Sequence, residues 1–213
     1  MSTAYLTSAY LAPVWYYTKL LSFDKIMVEG FDSYTKQSYR NRCRVAEADG
    51  VLSLTIPTEK PDNPKCLMRD VRISDHGHWR HVHWNALVAA YRHSPFFDYY
   101  ADDFAPFYEH QYTFLWDFNM ELCQLVCDLM DLHPDMEATD DYRKTVPNDY
   151  RELIHPKNDH RIDSSFLPIP YYQVFREQHG FLPNLSIVDL LFNMGPESLV
   201  VLQKSIPSSS VNI

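Results

Sequence analysis

Four cations stand within nine residues, Lys36-Gln-Ser-Tyr-Arg40-Asn-Arg42-Cys-Arg44. Successive side chains of an extended strand alternate between its two faces, and these four share one parity. A strand over this segment carries a row of cations on one face and Gln37, Tyr39, Asn41, Cys43 and Val45 on the other. Like charges at that spacing repel, so the row calls for acidic neighbours, open water or a bound anion. Arginine grips phosphate or carboxylate through a two-pronged fork. Lys36, Arg40 and Arg42 are therefore candidates for holding a small anionic ligand, such as a nucleotide, a nucleotide sugar or an acyl donor. Pairing with acids on the partner strand or on acidic helices is the structural alternative.

Proton transfer needs a second set of residues. His83, flanked by Trp84 and aligned on a helix with Trp79, is a candidate base in a cleft, against the alternative of a satisfied core histidine. In the polar segment after residue 145, Asp149, Glu152 and His155 have the chemistry of general acids and bases, and Arg151 and Lys157 can neutralise a phosphate beside them. A solvated loop is the alternative there. His76, His78, His81 and His83 invite a metal site, but no His-Glu-x-x-His pattern is present and Asp75 is the one acid near them. No metal is expected, and no pattern names a cofactor. Tyr10, Trp15 and Tyr16 follow the first expected strand, where open α/β sheets bind ligands, which makes Tyr10 a candidate lining residue.

The elements that position these groups can be read from pattern. Tyr5 to Leu11 predicts a buried strand, Pro13 opens a helix, and Lys25 to Glu29 forms a second strand closed by Gly30. That order suits a right-handed parallel crossover. The basic segment and Val51 to Ile56 predict an antiparallel hairpin turning at Gly50, followed by a loop over 57–64 and a further strand over Met68 to Ile73. A helix from about His78 to His93 is expected, capped by Ser74 or Asp75, then a helix from Phe96 to His110 interrupted at Pro106. Thr113 to Leu132 carries a clear apolar stripe. Residues 133–170 are polar and proline-rich, which marks functional or mobile chain. Ser186 with Asp189 resembles a helix cap, Gly195 a helix stop, and Pro196 the start of a last helix. The fold class is α/β or mixed α+β: a short parallel β-α-β start, an antiparallel hairpin and several packed helices. One domain over 1–204 with a frayed tail over 205–213 is expected.

Composition narrows the function classes. The 213 residues carry a formal charge of −9, which argues against broad binding to nucleic acid or anionic membranes. No run approaches the length of a membrane span, and the N-terminus has no signal-like charge and apolar pattern. Four cysteines without a Cys-x-x-Cys pair fit a reducing compartment, so a cytoplasmic location is expected. The five glycines form neither a dinucleotide fingerprint nor a P-loop, and no Gly-x-Ser-x-Gly elbow occurs.

Several blocks together resemble the WbqC-like protein family, in its shorter Bacteroidetes-type form. They are Ser8-Ala-Tyr-Leu-Ala-Pro13, Lys36-Gln-Ser-Tyr-Arg-Asn-Arg42, Leu52-Ser-Leu-Thr-Ile-Pro57, Trp79-Arg-His-Val-His-Trp84, Ala90-Tyr-Arg-His-Ser-Pro-Phe-Phe97 and Gly180-Phe-Leu-Pro-Asn-Leu-Ser-Ile-Val-Asp-Leu-Leu191. Longer members begin with a Gln-Pro-Asn-Tyr-like motif where this chain has Thr7-Ser8-Ala9-Tyr10, so a role for that glutamine is not carried over. The resemblance implies a context of surface polysaccharide (O-antigen-type) synthesis and transfers no catalytic residue. With the same-face cations it suggests a transferase binding an activated, phosphate-bearing donor through Lys36, Arg40 and Arg42, with His83 or His155 as base. The alternative is a non-catalytic interaction protein that docks on a glycan-synthesis complex through an exposed aromatic patch.

Overall fold

The structure is a computed structural model that describes residues 1–60 and 65–207. Part of the expected 57–64 loop and most of the expected tail lie outside the described residues. Strand β1 (Thr3–Thr7), helix α1 (Val14–Ser22) and strand β2 (Lys25–Glu29) form the expected parallel crossover, in register from Thr3 beside Lys25 to Thr7 beside Glu29. Ala4, Leu6, Ile26 and Val28 point into the core at alternate positions, the period that a half-buried strand requires. β1 stops short of the expected Leu11, which sits at φ 40, outside the extended region.

A third strand, β5 (Met136–Ala138), pairs in parallel with β2, and the sheet order is β1-β2-β5. On the far side of β1, Asp149 makes an isolated parallel bridge to Tyr5, through the Tyr5 amide to the Asn148 carbonyl and the Tyr150 amide to the Tyr5 carbonyl. Two pieces of the polar 133–170 segment therefore flank the crossover unit.

The hairpin is β3 (Arg42–Glu47) against β4 (Gly50–Thr55), in register from Arg42 beside Thr55 to Glu47 beside Gly50. It begins later than the parity argument requires. Lys36 to Arg40 form turns with Gln37 at φ 62, and only Arg42 and Arg44 share a strand face. The cause is local: the Ser38 hydroxyl donates to the Thr35 carbonyl at 2.7 Å and accepts from the Arg40 amide at 3.4 Å, which competes with a ladder.

Helices α2 (Trp79–Tyr91), α3 (Phe97–Glu109) and α4 (Leu115–Leu129) supply a large share of the aromatic core, including Trp79, Tyr91, Phe104 and Phe118. The expected Ser74 or Asp75 cap on α2 is not formed. Ser74 accepts from the His76 amide at 3.2 Å, and a short turn over His76–His78 with Gly77 at φ 74 replaces the first helical turn. α3 runs unbroken through the exposed Pro106, because Phe97, Tyr100, Phe104 and Tyr108 bury its inner face on both sides of the proline. The expected strand over Met68 to Ile73 is instead a tight turn over Met68–Asp70 with isolated bridges, since no neighbour runs beside it for more than one residue.

A single turn, α5 (Arg176–His179), precedes α6 (Ile187–Met194) and α7 (Ser198–Lys204). The Ser186 hydroxyl caps α6 by accepting from the Val188 amide at 3.4 Å, and Gly195 ends it at φ 52. Asp189 is not part of that cap. Its buried carboxylate accepts from the Tyr91 and Tyr171 hydroxyls at 3.0 and 2.6 Å and from the Gln173 amide at 2.7 Å. Ser205 is buried, and its carbonyl accepts from the Leu167 amide, so chain expected to fray is anchored at its start. No described helix is long and apolar enough to cross a membrane.

Candidate functional site

Three parallel strand ends define one edge of the sheet: Thr7, Glu29 and Ala138. In open α/β sheets this carboxyl edge is where loops leave room for ligands. Glu29 is 1% exposed and organises the edge. One of its oxygens accepts from the Phe31 amide at 2.8 Å and the Thr139 hydroxyl at 2.9 Å, and the other accepts from Arg151 at 2.9 Å. Arg151 turns its other edge to Asp149 in a two-pronged pair at 2.8 and 2.6 Å. That fork holds the Asp149 carboxyl below its usual range, against the partial burial that pushes it up.

Beyond Glu29 the chain continues through Gly30 and Phe31 to Asp32, which is 9% exposed. Asp32 pairs closely with Arg40, which is 1% exposed and also reaches Glu152 at 3.1 Å. Burial raises the Asp32 carboxyl, and the Arg40 charge offsets this only in part. Its second oxygen, Oδ1, is buried and has no hydrogen-bond partner among the described residues. Arg40 Nε, on the other side of the pair, is likewise buried and without a partner among the described residues, and such bare polar atoms are costly. The Arg40 backbone is tied in turn to α4, its carbonyl accepting from the Asn119 amide at 2.8 Å.

These groups line a cleft of about 410 Å³ bounded by Phe31, Asp32, Tyr142, Lys144, Arg151 and Glu152. Each guanidinium is shared between two carboxylates, one buried and one exposed. Glu152 and Asp149 are the exposed members, so an incoming anion can replace them while Asp32 and Glu29 keep the arginines in place. Lys144 is exposed on the rim with no ion pair among the described residues.

The residues singled out in the sequence fall into separate places. Arg40 is buried behind Asp32 and Glu152, two of the cleft's lining residues, and does not itself line it. His155 lies close enough to Glu152, Arg40 and Arg44 to feel all three, and burial leads the causes that lower its pKa. Its Nδ1 accepts from the Lys157 amide at 3.2 Å, which leaves Nε2 as an N–H donor when the ring is neutral. Arg42 is half-buried on β3 and donates to the Thr55 hydroxyl at 3.0 Å, and Lys36 is exposed on its turn; neither lines this cleft.

Tyr10 and His83 are together, but in the core. The Tyr10 hydroxyl lies 3.0 Å from His83 Nδ1 and 3.0 Å from the Tyr108 hydroxyl, and the rings of Tyr10 and His83 stack. Burial lowers the His83 pKa to about 4, with a bond to the Thr55 backbone opposing it, so this histidine is neutral. Trp15 is buried as well, its indole donating to Asp163 at 2.6 Å. The other histidines lie apart from His83: His78 precedes α2 at φ 49, and His81 pairs with Asn85 at 2.8 Å on the exposed side of that helix.

Glu29, Asp32, Thr139 and Lys144 were not singled out in the sequence. The available signal was topological: Glu29 is the last residue of the second strand of a parallel crossover, and Asp32 lies three residues beyond it.

A family model described as the WbqC-like protein family matches residues 8–156, the stretch that contains β2, Asp32, Arg40 and Arg151. The chain is also similar to the uncharacterized protein Rv1507c of Mycobacterium tuberculosis, 27% identical over 207 residues that cover 85% of this chain and 89% of that protein. No solved structure matches the chain.

Proposed function

The chain belongs to the WbqC-like protein family, and within it we propose that the protein is a transferase of surface-polysaccharide synthesis. In this proposal it holds an activated, phosphate-bearing donor in the cleft beyond β2. The observation that carries the proposal is a cleft lined by Asp32, Arg151 and Glu152, with Arg40 buried behind it, where each of the two guanidiniums is shared between one buried carboxylate and one exposed, replaceable carboxylate. A donor phosphate displaces Glu152 from Arg40 and draws Lys144 and the His155 Nε2–H toward it. Asp32 then accepts the proton from the acceptor's hydroxyl or amine as that group bonds to the transferred moiety and the phosphate leaves. A carboxylate raised by burial is a stronger base than a free one, which suits it to accept a proton. Arg40 binds in this arrangement, whereas His83 stays in the core packing.

A thermal-shift screen of nucleotides, nucleotide sugars, coenzyme A derivatives and phosphosugars tests the proposal. A ligand present at a hundred times its dissociation constant stabilises the native state by about 2.7 kcal/mol. The expected result is a shift with at least one phosphate-bearing compound that shrinks in a Lys144→Glu variant. Lys144 is exposed, so that variant keeps its fold. A shift of equal size in wild type and variant would place the ligand elsewhere, and no shift from any compound would overturn the donor site.

A further inference from the structure

We infer that the base of a nucleotide donor sits in a second, aromatic cleft that shares the Phe31 wall with the first. The inference rests on the donor site proposed above and names the donor's class. Phe31 lines both clefts, directly after the β2 end, so one extended ligand can pass across it. The second cleft holds about 340 Å³ and is walled by the rings of Phe31, Phe114 and Trp116. That is within the range of small-molecule sites, and flat rings with one open side are suited to stacking a heterocycle.

The walls are fixed in position. A Cβ added at Gly30 would lie 3.2 Å from the Trp116 ring, so the indole rests against bare backbone at the strand end. Arg69 lines this cleft and lies 4.9 Å over the Phe31 ring that both clefts share, where it can meet a phosphate attached to the base.

The polar groups of this cleft narrow the choice of base. Asp70 and Asp117 are exposed on its rim and offer only acceptors when ionised. Guanine presents a ring N–H beside an exocyclic amino group, a donor pair that a carboxylate can accept from. Uracil flanks its single ring N–H with two carbonyl oxygens, which a carboxylate repels. A guanine nucleotide is therefore the expected ligand, and a uracil nucleotide the weaker one.

The test is calorimetric titration of the full chain with GDP, UDP and inorganic pyrophosphate, in wild type, Trp116→Ala and Asp117→Ala. GDP should bind roughly tenfold or more tighter than pyrophosphate, the scale of one stacked base. Trp116→Ala should abolish that advantage while leaving pyrophosphate affinity unchanged. Asp117→Ala, an exposed change that keeps the fold, should narrow the gap between GDP and UDP, and it carries the test alone if circular dichroism shows that Trp116→Ala is unfolded. If pyrophosphate matches GDP, or neither variant alters the ratios, the base site is wrong while the phosphate cleft stands. If none of the three binds wild type, both fall together.

Discussion

Arg40 decides the charge balance of the cleft, and its removal separates structure from binding. Taking away one partner of a buried ion pair leaves the other charge without compensation, so Arg40→Met should lower stability by about 3 kcal/mol in urea unfolding. Loss of ligand binding in that variant would say little about contact. Glu152→Gln is the informative change: it removes the exposed competitor for Arg40 and should tighten phosphate binding roughly two- to fivefold, in line with the worth of an exposed ion pair. Weaker binding in Glu152→Gln would show that the carboxylate serves the ligand rather than competing with it.

Asp189 makes a second residue-scale prediction. Burial pushes its carboxyl up to about 6, although three hydrogen bonds pull the other way. A carboxyl with a folded pKa above its unfolded one stabilises the fold fully at low pH and loses that contribution as pH rises through the folded value. The stability of wild type relative to Asp189→Asn, read by urea unfolding, should therefore fall as pH rises from about 4 through about 6 and be flat beyond that. Its position three residues after Ser186 made it resemble a cap. Its actual partners, Tyr91 and Tyr171, stand 98 and 18 residues away, and no local pattern points to them. The arginines were visible as a cluster of charge, but whether they faced water or a buried acid depended on Asp32, an unremarkable acid at the end of a turn.

At the scale of elements, strong periodicity and punctuation were legible. β2 closes before Gly30, the hairpin turns at Gly50, and α6 lies between Ser186 and Gly195, as their residues indicate. Gly195 is the sharpest of these stops. An added Cβ would lie 2.5 Å from the Phe96 ring at a φ of 52, so Gly195→Ala should cost about 3 kcal/mol from the clash and the left-handed backbone together, read by thermal or urea unfolding. A loss under about 1 kcal/mol would mean that Phe96 moves aside freely. What pattern could not find was β5, three residues with Glu137 at the centre, held in the sheet by β2 alone. The Asp149 bridge was hidden for the same reason: an edge pairing of one residue has no periodicity. Both place site residues. The polar segment that lacked a pattern is therefore the one that builds the cleft rim, through Thr139, Lys144, Asp149, Arg151 and Glu152.

The whole molecule joins one sheet edge to a large aromatic core. Its acidic surface fits a protein that admits a small anion at one place rather than along a broad face. Cys43, Cys123 and Cys127 are buried within the core, and only Cys66 is half-exposed. A native thiol titration should accordingly find at most one reactive cysteine, slow because burial raises its pKa, and four after denaturation. A third hollow of about 400 Å³, lined by Asp75, His78, Arg80, His81, Tyr108 and Gln111, lies at the start of α2 and is the chief competitor for any ligand. Hydrogen–deuterium exchange with and without saturating nucleoside diphosphate decides between them most directly. Slowed exchange at residues 29–33 and 139–152, joined by 69–70 and 114–117 where the base stacks, is the predicted result. Protection at residues 75–81 and 108–111 instead, or at no residue, would contradict a donor site beyond β2.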